Sequence, residues 1–404
     1  MTQTVRRRRV FYIPGYDPIH PRRYRELYRT EGTAQAAISG YALSLAPKRA
    51  GGPYGWHVTS NQDGATVEAD VEVLIWADIV RDSMEASIPA TYLQLIRTAW
   101  AYIGSGALFR LMRLRKGPVI AALYPIFALI LQALIGLGAG WALAALLLWP
   151  LPDFPFEWGL ALAICAGVTW AALRWFRKQD GKVYAYYLMH DYAFTARWGG
   201  ANPEALETRM AGFGDAIARA LSEDWDEVLV VGHSSGAHLA VSILADLIRA
   251  GRVPATGPRL AFLSLGHVVP MVSFLPQAKR LRGDLAYLCT RPELAWVDVT
   301  APGDGCAFAL CDPVKVSGVG PAGQIQPLIL SAAFTQTLSP KRWKELRWRF
   351  FRLHFQYLCA FDRPGAYDYF RITAGPQSLA ERFARTPPSK SVIETPANRF
   401  TSMA

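Results

Sequence analysis

The stretch that most narrows the possible folds is Val228-Leu229-Val230-Val231-Gly232-His233-Ser234-Ser235-Gly236-Ala237. An apolar run of β character ends in Gly-x-Ser-x-Gly, and a helical pattern over 237–250 follows at once. A strand can enter a helix this abruptly only through a tight turn. Gly232 and Gly236 sit where the folded-back chain would meet a β-carbon. Such a turn holds the Ser234 hydroxyl proud of the edge of a sheet.

The rest of the chain supplies strands for that sheet. Residues 10–13 read as a buried strand broken by Pro14-Gly15-Tyr16-Asp17-Pro18, and a helical pattern follows over about 21–45. Residues 55–60 and 65–76 alternate like two strands around the turn Asn61-Gln62-Asp63-Gly64. Asn202 and Pro203 open a helix that runs to about 221 and leads into the Ser234 strand. Further strands are expected at 260–265 and 294–300, a basic helix at 274–287, and a basic, aromatic helix at 343–357. Strands alternating with helices imply an α/β fold with a mostly parallel sheet covered by helices on both faces. Past Gly375 the polar tail, 376–404, is expected to be disordered.

Residues 86–182 interrupt this pattern. An amphipathic helical stretch over 86–116 ends in Arg110, Arg113, Arg115 and Lys116. Neither 118–149 nor 158–173 contains a charged residue, and a membrane-spanning helix needs about 20 apolar residues. Two spans, about 118–149 and 158–176, form the expected hairpin. The first is longer than a bilayer requires, so it should tilt, break near Gly136, Gly138 and Gly140, or lie partly in the interface. The turn between them carries Asp153 and Glu157 but no Lys or Arg, whereas Arg174, Arg177, Lys178 and Lys182 follow the second run. The positive-inside rule therefore puts both outer flanks, with the sheet-forming parts and both termini, in the cytoplasm, at the inner or plasma membrane if the source is bacterial.

Composition agrees with that division. The 404 residues carry a net charge of +11 and are 51% hydrophobic. The basic residues lie beside apolar runs and aromatics and build no nucleic-acid module, so an anionic phospholipid surface is the expected partner and nucleic acid is not. The five cysteines show no paired spacing, which argues against a disulfide framework or a zinc site.

Through Gly232-His233-Ser234-Ser235-Gly236 between strand and helix, the sequence resembles the α/β-hydrolase superfamily, its lipase- and esterase-like members in particular. The likeness covers roughly 8–80 and 183–375. The domain parts are then 1–85, the inserted hairpin 86–182, and 183–375. The resemblance implies a serine hydrolase with Ser234 as nucleophile and a triad in the order Ser, acid, His. Asp304, past a strand end in Pro302-Gly303-Asp304-Gly305, matches the acid; Asp312 is the runner-up, and Asp298 lies within a strand. His354 follows the acid and fits as base, whereas His267 precedes it. An oxyanion hole is implied at the Ser235 and Tyr16 amides, with Gly15 and His233 lining the substrate site; many lipases carry His-Gly where this chain has Pro14-Gly15. No metal or organic cofactor is called for. A lipid or other hydrophobic acyl ester is the implied substrate. An acyltransferase or thioesterase would use the same residues, and a silent hydrolase fold serving as a membrane scaffold is the alternative of another kind. Head group, acyl length and oligomeric state are left open.

Overall fold

The computed structural model describes residues 4–48, 51–150 and 155–404. Eight strands form one sheet: β1 (Arg7–Ile13), β2 (Ala42–Pro47), β3 (Gly55–Gln62), β4 (Ala65–Val73), β5 (Glu227–His233), β6 (Arg259–Leu265), β7 (Leu294–Thr300) and β8 (Leu328–Ser331). Their spatial order is β2-β3-β4-β1-β5-β6-β7-β8. From β4 onward neighbours are parallel, while β2 and β3 add an antiparallel edge. The chain is thus α/β with a mostly parallel sheet, as the strand–helix alternation predicts.

The inner strands are apolar on both faces because helices cover both. Phe11, Ile13, Val228, Val230 and Phe262 face one core, and their neighbours Val10, Tyr12, Leu229, Val231 and Leu263 face the other. The first core is closed by α9 (Glu204–Leu221), α10 (Ser235–Arg249) and α12 (Lys279–Leu288); α11 (Val269–Ser273) also lies there. The second is closed by α1 (Arg22–Ser39), α17 (Tyr369–Ala374) and α18 (Leu379–Phe383).

Between β4 and β5 lie α2 (Ala77–Met84), α3 (Ile88–Gly104), α4 (Ala107–Leu114), α5 (Lys116–Leu148), α6 (Glu157–Lys178), α7 (Asp180–Val183) and α8 (Ala185–Ala196). Both α5 and α6 are long and apolar enough to cross a membrane, with mean hydropathy 2.3 and 1.5. They pack closely: a β-carbon on Gly140 would lie 2.7 Å from the Cys165 carbonyl oxygen, and one on Gly136 would lie 3.2 Å from Thr169. Gly136, Gly140 and Ala144 make a small-residue stripe of the kind that lets apolar helices touch backbone to backbone. The excess length of α5 is absorbed without a break. Its first turns pack on the globular part through Val119, Ala128 and Leu129. Of the expected inter-span turn, Asp153 lies outside the described residues.

Several expected boundaries move. The 21–45 helix stops at Gly40, whose φ of 73° only glycine tolerates readily, and the remainder becomes edge strand β2. The 86–116 stretch is two helices split at Gly106, φ 71°. Pro203, not Asn202, occupies the cap of α9; the Asn202 amide instead donates to Glu207 at 3.0 Å. The 343–357 helix is three pieces: α15 (Pro340–Leu346), α16 (Phe350–His354) and a 3-10 turn, Phe355–Leu358. The 376–404 tail is ordered, against expectation. Arg8 binds the Gly375 and Gln377 carbonyls, α18 buries Leu379 and Phe383, and Ile393 exchanges backbone hydrogen bonds with Leu310 and Asp312. The tail is held by main-chain bonds such as Ser389 to Ile329 and Ala397 to Val316, by hydrogen bonds to the Arg8, Glu227 and Arg282 side chains, and by a few buried apolar residues, a source of order that overall composition does not register.

Candidate active site

Parallel pairing decides where the site forms. In register, Ile13 of β1 lies opposite Gly232 of β5, His233 opposite Leu265 of β6, and Leu265 opposite Val299 of β7. The loops that leave these four strands therefore gather at one sheet edge, the carboxyl ends, where open α/β sheets bind ligands.

Ser234 terminates β5 and caps α10 with φ 56° and ψ −121°, a conformation that L-residues rarely adopt. Its own amide is tied to the Leu265 carbonyl at 2.9 Å. The glycines explain why the turn is possible. A β-carbon on Gly236 would lie 2.1 Å from the Ile13 carbonyl oxygen, and one on Gly232 2.7 Å from the Ala237 Cα. Gly15 approaches from the β1 loop, where a β-carbon would lie 2.9 Å from the Ser234 Cβ and 3.4 Å from its Oγ.

Asp304 and His354 reach the same edge from β7 and from α16. The Asp304 carboxylate accepts from His354 Nδ1 at 2.7 Å, from the Tyr357 hydroxyl at 3.0 Å and from the Cys306 amide at 2.9 Å. Burial pushes the Asp304 carboxyl up, but His354 and these donors outweigh it and hold it below its ordinary value. With Nδ1–H donating, His354 keeps a lone pair on Nε2, which is buried and makes no hydrogen bond among the described residues. The Ser234–His354 contact is accordingly not closed in this structure. The segment before His354 bends over the Asp304 loop: Trp343 covers Gly303 and Phe350 covers Gly305. One straight helix could not cover both glycines and return His354 to Asp304, which is why 343–357 is broken.

The other expected residues are placed as follows. Neither the Tyr16 nor the Ser235 amide donates a hydrogen bond among the described residues, and both residues line one cleft beside the turn. His233 is buried against His354, ring centroids 4.8 Å apart, and donates from Nε2 to the His354 carbonyl at 3.0 Å. Burial and the adjacent His354 lower its pKa to about 3, so it stays neutral and braces the base. Asp312 is turned away, capping α13 (Pro313–Val316) through the Val314 and Lys315 amides. Asp298 is sealed under the sheet edge with Ser264, 3.6 Å from His267, and burial raises its pKa to about 6.

Three neighbours escape a sequence reading. Tyr357, three residues past His354, bridges the Asp304 carboxylate and the Ala301 amide. The Cys306 thiol lies with Asp304 and His354 so that one ligand atom of each falls within 4.8 Å of the others; the carboxylate–imidazole bond already accounts for two of the three being close. Asp191 of α8 lines the cleft beside Ser235 and is near enough to His354 for their charges to interact. Its only advance signal is a lone acid in the aromatic run Tyr186-Tyr187-Leu188-Met189-His190-Asp191-Tyr192.

Comparison with family models, with curated proteins and with solved structures found no match. The site presents a strained serine, an imidazole oriented by a buried carboxylate, and two amides with no acceptor.

Proposed function

We propose that this chain is a membrane-anchored serine hydrolase of the α/β-hydrolase type that cleaves an acyl ester of a lipid or other hydrophobic substrate. The observation that carries the reading is the His354–Asp304 pair at 2.7 Å, set at the same sheet edge as Ser234 in its turn at φ 56°. A serine hydroxyl becomes nucleophilic when a base within hydrogen-bond reach takes its proton, and the base needs a third group to fix its tautomer.

Ser234 Oγ attacks the acyl carbonyl while its proton moves to His354 Nε2. Asp304 stabilises the imidazolium. The Tyr16 and Ser235 amides take the oxyanion, assisted by the positive end of α10. The protonated imidazole then gives its proton to the departing alkoxide, and water, deprotonated by the same nitrogen, releases the acid. Closure of the Ser234–His354 contact accompanies substrate binding, as such contacts often tighten only in the complex. Transfer of the acyl group to another alcohol or cleavage of a thioester would use the same groups.

The membrane part of the reading has its own support. Leu93, Ile96, Trp100 and Ile103 form an exposed apolar stripe along α3, continued by Phe109 and Met112 on α4, before α5 begins. Arg97, Arg110 and Arg113 flank it, as cations flank helices lying in an anionic interface. A silent scaffold is the second reading, favoured by Pro14 in place of His before Gly15 and by the open Ser234–His354 contact.

Fluorophosphonate labelling of the detergent-solubilised protein separates the two. Wild type is expected to label, and Ser234→Ala and His354→Ala to label not at all. An unlabelled, well-folded wild type in lipid nanodiscs would sink the hydrolase reading.

A further inference from the structure

The cleft beside the Ser234 turn has a wall that the proposed chemistry does not use. Tyr16, Trp76 and Phe194 stand in mutual contact, with ring centroids 6.1, 5.7 and 6.0 Å apart pairwise. All three line the cleft together with Asp191, Ser235 and His238. Asp191 is half-buried, and among the described residues it accepts no hydrogen bond and forms no ion pair. The titratable groups that face it are Tyr16, Tyr102, Tyr187, Tyr192, Cys306 and His354. None is a lysine or arginine. His238, which also lines the cleft, is held neutral by burial, its pKa lowered to about 4.

We propose that Asp191, with Tyr16, Trp76 and Phe194, forms a binding site for an ammonium group carried by the substrate, so that the preferred ester has a cation close to its reacting carbonyl. The selectivity for a cationic ester rests on the hydrolase reading; the ammonium site itself does not.

Two physical arguments meet here. The half-buried Asp191 carboxylate has no cation beside it among the described residues, so an ammonium brought by a ligand can pair with it directly. Aromatic faces attract the same cation, most strongly where water is excluded, and aromatic cages with an acid are how proteins hold quaternary ammonium groups. Burial, opposed in part by His354, raises the Asp191 pKa to about 7, so a substantial anionic fraction is available to a cation at neutral pH. The placement also affects rate. An ionised Asp191 near the Ser235 amide opposes the negative charge that develops on the oxyanion. A bound ammonium cancels that field, so a cationic ester is turned over faster than a neutral one of the same shape. The cleft holds only about 10 Å³ of free space, so a methylated ammonium requires Phe194, the least buried of the three rings, to give way.

The test is a binding titration of the full-length, detergent-solubilised protein with choline and with its uncharged carbon isostere, dimethylbutanol. Choline is expected to bind roughly tenfold or more tightly than the isostere. Asp191→Asn should abolish that preference, Asp191→Glu should keep part of it, and Ser234→Ala should leave it unchanged. Equal binding of the two ligands by wild type, or a preference that survives in Asp191→Asn, would overturn the proposal. A preference that depends on Asp191 in a protein that fails fluorophosphonate labelling would keep the ammonium site and remove the hydrolase reading. If the protein labels, butyrylthiocholine should be cleaved roughly tenfold faster than the thioester of the isostere, and only while Asp191 is present.

Discussion

At the scale of single residues, the site depends on groups that hold other groups still. Tyr357 has a stacked role: its hydroxyl donates to Asp304 at 3.0 Å and accepts from the Ala301 amide at 3.0 Å. Removing the hydroxyl in Tyr357→Phe leaves a buried carboxylate one donor short, a loss of about 1–2 kcal/mol. The ester hydrolysis that the proposed function predicts should slow about tenfold while fluorophosphonate labelling persists at a reduced rate. His238 offers a pH test. Burial lowers its pKa from 6.5 to about 4, so the unfolded chain binds its proton first as the pH falls. Its neutral, buried state contributes stability that is present above pH 6.5 and is lost between there and about pH 4. Thermal melts of wild type and His238→Gln should therefore converge, then cross, as the pH drops through that window, by up to about 3 kcal/mol. Parallel melting curves at all pH values would show that His238 titrates normally.

Elements are held by a few buried polar anchors. Arg8 of β1 and Glu227 of β5 form a fully buried pair at 2.6 Å, with Arg8 also binding the Gly375 and Gln377 carbonyls and Glu227 accepting from the Leu379 amide. One ion pair thus ties two central strands to the tail. Arg8→Ala would strand a buried carboxylate, which typically costs 3–5 kcal/mol. Limited proteolysis should then cut the variant within 376–388 under conditions that leave wild type intact. At the same scale, His354 depends on how α15, α16 and the 3-10 turn fold over the glycines around Asp304. A sequence pattern of cations and rings reads as one helix there, because helical periodicity carries no information about what lies beneath.

For the whole molecule, the question is how a sheet-based domain is joined to an apolar hairpin. Helices α3 and α8 pack on each other, and the start of α5 is buried against the domain through Val119 and Leu129, so the hairpin is braced at its base rather than tethered by a loop. Asp191 lies on α8, directly after the hairpin, and the structure thereby couples the candidate site to the helices that would enter the bilayer. The positive-inside asymmetry predicts opposite exposure of the two ends of α6. In oriented vesicles, Glu157→Cys should react with a membrane-impermeant maleimide from the side opposite to that at which Lys178→Cys reacts. Labelling of both from one side would place the hairpin against the protein and not across a membrane.

The sequence alone determined the strand–turn–helix around Ser234, the α/β alternation and the two uncharged helices. Each follows from local rules: glycine where a β-carbon cannot fit, apolar runs where both faces are covered, and uncharged runs of 32 and 16 residues at 118–149 and 158–173. It also singled out Asp304 and His354, since strand ends and chain order are visible in one dimension. Their hydrogen bond was decided by parallel register and by a segment that breaks its helix to reach back, both long-range matters. The tail that looked disordered is ordered for the same reason. Its partners, from the Arg8 and Glu227 side chains to the Ile329 and Val316 main chain, lie far away in the chain, and no composition encodes them. Asp191 is the clearest case: only the tertiary packing of α8 brings an isolated acid among tyrosines to the cleft beside Ser235.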